Sequence, residues 1–288
     1  MWGTVRALAA FLVAGAMVYV PAFGDVRRGG EDGRNEMEKI EPNSVSSEPN
    51  IIITVVYDNN PYKEGLETAW GFSCVVTGME KTILFDTGGD GRLLLENMSK
   101  VGVDVNGIDA VVLSHIHNDH TGGLEDFLAR NPRVEVYVPE SFPKSLKKRV
   151  TSVGAKLVEV DQQTEICKDV YSTGQMGNMI KEQGLIVRTP KGFVVITGCA
   201  HPGIVEMVKA AKGALKAPVL LIIGGFHLKG AGDDEIRQVI SSLEGMGVKY
   251  AGPCHCTGER ARSLFAQRFG DNFLKVGVGK VVLMDDLR

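Results

Sequence analysis

The sequence predicts a layered α/β fold, and two patterns carry this prediction. Beyond residue 50, short apolar runs typical of strands alternate with segments of helical periodicity up to the end of the 288-residue chain. The 35 glycines of the chain cluster at the ends of the apolar runs, where tight strand-to-helix turns need them. Sheets covered by helices on their outer faces satisfy both patterns, because each element then buries its apolar side.

Strands are predicted where apolar and β-branched residues run together between turn-forming residues. In chain order these segments are 51–56, 72–77, 82–85, 110–113, 134–138, 157–160, 184–189, 193–197, 219–223, 249–251 and 281–284. Three helices have recognisable start signals. One follows Asp233, with Ile236 and Ile240 on a single face, and the others begin at Pro202 and Thr257.

The amino-terminal residues 1–24 are predicted to be a secretory signal peptide. Arg6 precedes an uncharged apolar run at 7–20, and the small residues Ala22 and Gly24 resemble a cleavage site. The run is shorter than the ~20 residues that cross a bilayer, so we expect export without a membrane span. The alternative is an uncleaved membrane anchor. Residues 25–50 are mostly charged residues, Gly, Ser and Pro, which predicts a flexible linker before a folded domain over 51–288.

The overall composition narrows the class of protein. With 44% hydrophobic and 23% charged residues, the chain has the balance of an ordinary globular protein rather than a disordered chain or a multi-span membrane protein. Its net charge of -3 argues against a nucleic-acid binder that relies on bulk positive charge. We therefore expect a small-molecule substrate.

All six histidines occupy equivalent places in the predicted fold. Each follows an apolar strand segment and precedes a helix start, where ligand-binding groups of α/β folds gather. They are His115, His117, His120, His201, His227 and His255. This common placement predicts that imidazoles far apart in the sequence converge on one site.

The densest cluster runs from His115 to His120. Residues two apart in an extended segment point to the same side, so His115 and His117 can bind one metal ion. As the chain turns into a helix, Asp119 and His120 would face a second ion. Imidazoles beside a carboxylate suit Zn, Mn or Fe better than Mg or Ca, which prefer oxygen ligands throughout.

These residues also carry a family resemblance. The pattern His115-x-His117-x-Asp119-His120, with Leu-Phe-Asp-Thr-Gly at 84–88, resembles the metallo-β-lactamase-fold hydrolases. The segments Thr-Gly-Cys-Ala-His-Pro-Gly at 197–203 and His-Cys-Thr-Gly at 255–258 are similar to the branch labelled 7,8-dihydropterin-6-methyl-4-(β-D-ribofuranosyl)aminobenzene-5'-phosphate synthase-like. The resemblance covers about 51–287 and implies a four-layer αββα sandwich with a two-metal centre at one edge.

The resemblance also implies roles for residues. His115 and His117 match ligands of the first metal, and Asp119, His120 and His255 match ligands of the second. Asp86 matches the acid of the first motif, expected to orient a ligand histidine. We count Asp119 and Asp86 as the candidate catalytic residues.

At other positions the sequence departs from the family pattern. Many members carry a ligand His near what is here 172–177, where this chain has none, and a bridging Asp where it has Cys199. His201 is the expected substitute as third ligand. His227 is expected to be either a further ligand or a substrate contact, and Cys199 either a thiolate ligand or part of the substrate-site lining.

The five cysteines form an odd number, which does not suit a complete disulfide framework. Cys254 and Cys256 flank His255 and could imitate a zinc knuckle. Their spacing lacks the usual Cys-x-x-Cys reach, however, and favours small residues packed in a turn.

Two divalent ions, with zinc favoured and manganese or iron as alternatives, would activate water against an anionic phosphoester or phosphodiester. Asp58, Asn59 and Trp70 are candidates to line the mouth of the site, although turn chemistry and a core position are competing explanations. Three other functions stay open: a transferase of the synthase type named above, a metal-binding module without turnover, and a true β-lactamase.

Overall fold

The computed structural model describes residues 50–288. The predicted signal peptide at 1–24 and, apart from Asn50, the predicted linker lie outside the described residues. Within the described part of the chain, no helix combines the length and apolar character needed to cross a bilayer.

Thirteen strands form two mixed sheets within residues 50–288. The seven-stranded sheet has the order β13-β1-β2-β3-β4-β5-β6, and the six-stranded sheet has the order β12-β11-β10-β9-β8-β7. The strands are β1 (Ile52–Asp58), β2 (Phe72–Thr77), β3 (Ile83–Phe85), β4 (Ala110–Val112), β5 (Glu135–Pro139), β6 (Lys156–Val160), β7 (Thr164–Cys167), β8 (Val170–Ser172), β9 (Leu185–Thr189), β10 (Gly192–Thr197), β11 (Val219–Gly225), β12 (Tyr250–Cys254) and β13 (Val281–Leu283).

Helices cover the outer face of each sheet. They are α1 (Gly91–Lys100), α2 (Asn118–Thr121), α3 (Leu124–Arg130), α4 (Lys144–Ser152), α5 (Ile204–Ala214), α6 (Asp233–Gly245) and α7 (Glu259–Phe269). Leu84 and Val111 of the first sheet pack against α1, α3 and α4, whereas Ile222 of the second packs against α5, α6 and α7. Their strand neighbours Phe85 and Ile223 point the other way, into the core between the sheets. This is the predicted four-layer αββα sandwich.

The structure contains two strands that the sequence pattern did not predict. β7 and β8 are short and partly exposed. They pair with each other, and β8 also pairs with β9, which leaves β7 at the edge of the second sheet. Their brief apolar runs carry little periodicity, because only a few residues of each strand are buried. The helices predicted to begin at Pro202 and Thr257 begin at Ile204 and Glu259.

The topology positions the site. β3 and β4 are parallel neighbours, as are β10, β11 and β12, so their carboxyl ends lie at one edge of each sheet. Asp86 follows β3 and the His115–His120 segment follows β4, while Cys199, His227 and His255 follow the three parallel strands of the second sheet. Chemically active side chains from both sheets therefore collect at one edge of the sandwich.

Candidate metal centre

A first group of imidazoles is formed by His115, His117 and His201. One ring nitrogen from each lies within 4.8 Å of the others. His115 Nε2 is 3.1 Å from His117 Nδ1, and the His201 ring centroid is 4.5 Å from that of His115. His115 is buried whereas His117 is exposed, so the group opens to solvent on one side. The geometry brings together the three residues expected to hold the first metal.

A second group contains Asp119, His120, Cys199 and His255, again with ligand atoms within 4.8 Å of one another. The Nε2 atoms of His120 and His255 are 3.2 Å apart. Asp119 Oδ2 lies 3.5 Å from His120 Nε2 and 3.3 Å from His255 Nε2. Cys199 Sγ lies 3.3 Å from His120 Nε2. Cys199 was expected to be either a thiolate ligand or part of the substrate-site lining, and its position among the other candidate ligands favours the first.

One buried carboxylate orients a histidine of each group. Asp86 Oδ2 is 2.7 Å from His120 Nδ1 and also accepts a 2.7 Å hydrogen bond from Ser114 Oγ. Because the Ser114 hydroxyl donates to Asp86, its oxygen is free to accept from His115 Nδ1 at 2.9 Å. Asp86 therefore acts directly on the second group and through Ser114 on the first, which is the position expected of an orienting acid.

Glu182 is a functional residue that the sequence reasoning missed. Its fully buried carboxylate accepts hydrogen bonds from the backbone N–H groups of Cys199, Ala200 and His201 at 2.8–2.9 Å. Oε2 also lies 2.8 Å from His201 Nδ1. Burial opposes ionisation of Glu182, but these hydrogen bonds and the nearby His115 lower its pKa to about 2. Glu182 thus fixes both the backbone of the loop 199–201 and the orientation of the His201 ring.

Of the two residues predicted to line the mouth at the end of β1, Asp58 requires a correction, because it is buried away from solvent. Asp58 is 0% exposed, and its Oδ1 accepts from the backbone and side-chain nitrogens of Asn60. Asn59 lies behind a candidate ligand, because its Oδ1 is 2.8 Å from His255 Nδ1. Asp58 therefore stabilises the turn, in keeping with the competing turn explanation, and Asn59 orients His255.

Trp70 lies at the edge of the site rather than in the core. Its side chain is 46% exposed, and its ring centroid is 4.8 Å from that of His255. Lys229 Nζ lies 4.6 Å from the centre of the Trp70 ring, in cation–π contact. An aromatic face and a positive charge therefore stand together beside the second group.

His227 belongs to neither of these two groups. Its ring centroid is 4.5 Å from that of His201, yet its ligand atom groups with the sulfurs of Cys199 and Cys256. The hydrogen bond with Cys256 raises the pKa of His227 despite partial burial. The expectation that Cys256 is only a small residue packed in a turn is incomplete. Its sulfur lies near His227, which follows the adjacent strand β11, and near Cys199, which follows β10.

The second group has the electronic character of a cation site. His120 and His255 each donate Nδ1–H to an oxygen, of Asp86 and Asn59 respectively, so the lone pairs of both Nε2 atoms face each other. Burial alone would lower the pKa of His120, but the Asp86 and Asp119 carboxylates outweigh burial and raise it to about 10. A positive charge between these converging ligand atoms is therefore stabilised, and either a proton or a metal ion can supply it. His120, His255, Asp119 and Cys199 would hold one cation.

The first group differs in electrostatics. Burial, together with the charge of His120, lowers the pKa of His115 to about 2, so this imidazole is a neutral donor. Glu182 accepts a hydrogen bond from His201 Nδ1–H, and Ser114 accepts one from His115 Nδ1–H. The Nε2 atom of each histidine is therefore available to bind a cation. Imidazoles whose Nδ1 side is held by a hydrogen bond, as in His115 and His201, suit a borderline cation such as Zn²⁺. His115, His117 and His201 fit a second cation.

Backbone conformation at the site is unusual. Of the five non-glycine residues with positive φ among residues 50–288, Asp86, Ala200, His227 and His255 all lie at this edge. Such strain persists where the surrounding structure holds it and is concentrated at functional sites. Gly198 permits the close approach of the two sheets, because a Cβ there would collide with Ser114 Oγ and lie 2.8 Å from Asp86 Oδ2.

Comparisons with known proteins agree with this architecture. The sequence profile of the metallo-β-lactamase superfamily matches residues 71–206, which include Asp86, the His115–His120 segment and His201. The 7,8-dihydropterin-6-methyl-4-(β-D-ribofuranosyl)-aminobenzene-5'-phosphate synthase of Methanocaldococcus jannaschii is 28% identical over 80% of this chain and 95% of its own length.

Solved structures give the same result. Tm1679, described as a metal-dependent hydrolase of the β-lactamase superfamily, is 29% identical with a TM-score of 0.67, over 81% of this chain and 98% of its own. YhfI of Bacillus subtilis, a metallo-β-lactamase fold protein, shares the fold at 15% identity with a TM-score of 0.60, over 81% of this chain and 99% of its own. The sequence profile, the relatives and the two-sheet architecture together show that this chain has the metallo-β-lactamase fold, a fold that implies binding of divalent metal ions.

Proposed function

We propose that this protein is a metal-dependent hydrolase that cleaves a small anionic phosphoester or phosphodiester. The observation that carries the proposal is the pair of adjacent donor groups, one of three imidazoles and one of two imidazoles with Asp119 and Cys199. Two divalent cations, with zinc favoured over manganese or iron, would lower the pKa of water and neutralise charge on the attacked ester.

The residues of the chain have separate tasks in this proposal. Asp86, Asn59 and Glu182 hold His120, His255 and His201 with their ligand nitrogens directed inward. Asp119, which is partly exposed, has its carboxylate beside both His120 and His255. Hydrogen bonds with these two histidines keep the pKa of Asp119 low despite partial burial, so it is ionised at neutral pH. An ionised Asp119 can accept a proton from an attacking water molecule.

The surroundings of the second group support an anionic substrate. Trp70 packs beside His255, and the exposed Lys229 lies over the Trp70 ring. A substrate carrying a phosphate would gain a charged contact with Lys229, and a planar group next to it could pack on Trp70. Neither residue belongs to the two donor groups, so both can set specificity without themselves binding a cation.

The test compares metal-free and metal-loaded protein on phosphomonoesters and phosphodiesters. Chelation is expected to abolish turnover, and added Zn²⁺ or Mn²⁺ to restore it. Asp119→Asn should lower kcat at least about 100-fold, as is typical when a general base is lost. Asp104→Asn, at an exposed turn, is the matched control and should keep full activity. Unchanged turnover in metal-free protein would overturn the proposal, and metal binding with no turnover would favour a binding module.

A second candidate is a transferase, favoured by the 28% identity to the Methanocaldococcus synthase. The same cations could activate an amine or alcohol in place of water. Product analysis with and without an added acceptor distinguishes the two reactions. Products that incorporate the acceptor in preference to water would replace hydrolysis with transfer.

A further inference from the structure

A third cluster of ligand atoms lies beside the two groups described above. The sulfurs of Cys199 and Cys256 and a ring nitrogen of His227 are all within 4.8 Å of one another. The three residues follow β10, β12 and β11, which are adjacent parallel strands of the second sheet. The topology, rather than nearness in sequence, therefore brings them together.

The cluster combines buried sulfur with an accessible imidazole. Cys199 and Cys256 are only 4% and 5% exposed, whereas His227 is exposed at the rim. Gly225 allows the two cysteines to meet, because a Cβ there would lie 2.7 Å from Cys256 Sγ and 3.2 Å from the Cα of Cys199. A cation could thus enter from the His227 side and reach two sulfur ligands beneath.

The donor set differs chemically from those of the other two groups. Two thiolates and one imidazole suit Zn²⁺ and similar thiophilic cations, and three protein ligands leave the fourth position of a tetrahedron open. Mg²⁺ and Ca²⁺ prefer oxygen ligands and are disfavoured here. Cys199 also belongs to the second group, with its sulfur 3.3 Å from His120 Nε2, so its thiolate can serve cations on both sides.

We propose that Cys199, His227 and Cys256 form a third cation site, selective for Zn²⁺ or a similarly thiophilic ion, that shares Cys199 with the second group. Occupancy of this site does not depend on which bond the enzyme cleaves. It does require both cysteines as free thiols, as they are in the structure.

Cobalt is the probe for the test, because Co²⁺ bound to thiolates absorbs in the near ultraviolet. Metal-free full-length protein is titrated with Co²⁺, and bound metal is counted by elemental analysis. We expect three equivalents in the wild type, and two in both Cys256→Ser and His227→Ala. The thiolate-to-cobalt absorption should fall by about half or more in Cys256→Ser, since one of two sulfurs is lost.

The control is Cys254→Ala, which removes a buried cysteine that lies outside the cluster and should leave three equivalents and the full absorption. His227→Ala keeps the test decisive if Cys256→Ser fails to fold, because His227 is exposed. Two equivalents in the wild type, or three in the His227 variant, would overturn the proposal. So would a Cys199–Cys256 disulfide in protein purified without reductant, detected as three free thiols in place of five.

Discussion

His120 Nδ1 lies 2.7 Å from Asp86 Oδ2, and the same carboxylate holds His115 indirectly through Ser114. The imidazole groups are therefore not independent, because a single buried acid fixes a ring in each. Asp86 itself adopts a left-handed backbone conformation immediately after β3. Its position at this strand end lets it reach the segment that follows the parallel neighbour β4.

Asp86→Asn should weaken cation binding at both groups. An amide nitrogen cannot accept the hydrogen bonds of His120 and Ser114, and loss of such an orienting partner typically costs about 10–100-fold in metal affinity. Competition with a chromophoric chelator measures the affinities. Asp90→Asn, which alters the exposed cap of α1, is the control and should bind normally. A defect confined to one group would contradict the shared role of Asp86.

Gly198→Ala should destabilise the protein by about 2 kcal/mol or more, because the added methyl collides with Ser114 and Asp86 in a packed interior. Gly213→Ala in α5 is the matched control: nothing lies within 4 Å of its Cβ position. In a helix this change should stabilise by about 0.5–1 kcal/mol. Urea unfolding of both variants gives the comparison. Equal stabilities would show that the two sheets can move apart at Gly198 without cost.

Glu182→Gln should destabilise the protein by about 1–3 kcal/mol, since a buried amide group replaces an oxygen that accepts backbone hydrogen bonds. The loosened His201 should also bind its cation less tightly. Glu206→Gln, on the exposed face of α5, should change neither property. Unfolding and cation titration of the two variants measure the effects, and wild-type affinity in Glu182→Gln would remove Glu182 from the site.

Glu135 should contribute stability that depends on pH. Hydrogen bonds from Lys156, Lys81 and Tyr137 lower its pKa from 4.5 to about 2. A depressed folded-state pKa means that the contribution is fully present above pH 4.5 and is lost as pH falls towards 2.

Glu135→Gln should therefore unfold more easily by about 1 kcal/mol at pH 7, after allowance for the exposure of Lys156, and the difference should shrink below pH 4.5. Urea unfolding from pH 3 to 7 measures it. Glu125→Gln, which breaks the exposed pair with Arg149, is the control and should show little pH-dependent difference. A deficit as large at pH 3 as at pH 7 would mean that packing, not charge, explains the loss.

Lys229→Met should raise KM for an anionic substrate about five-fold and leave kcat nearly unchanged, because it removes a charge that stands beside the site without entering either donor group. Steady-state kinetics on a phosphoester that the protein hydrolyses provides the measurement. Lys212→Met, on α5 away from the site, is the control. A fall in kcat at constant KM would assign Lys229 to the chemical step.

The fold and the His115–His120 segment were predictable because their signals are local. Strand alternation and the turn into a helix determine how neighbouring side chains point, and sequence spacing records both. Glu182 was not predictable in this way, since it reaches His201 only through the pairing of β9 with β10. Asn59 contacts a histidine 196 residues away. Cys256, which follows β12, similarly lies near Cys199, which follows β10 two strands away in the sheet. The Cys254–Cys256 spacing could not reveal this proximity.

Each imidazole group takes ligands from both halves of the chain. His115, His117 and His120 follow a strand of the seven-stranded sheet, whereas His201 and His255 follow strands of the six-stranded sheet. A bound cation would therefore cross-link the seven-stranded sheet to the six-stranded sheet. Its binding energy adds to resistance against heat, by about 2.7 kcal/mol for a site at a hundred-fold excess over its dissociation constant. We therefore expect removal of bound metal to shorten the lifetime of the folded protein.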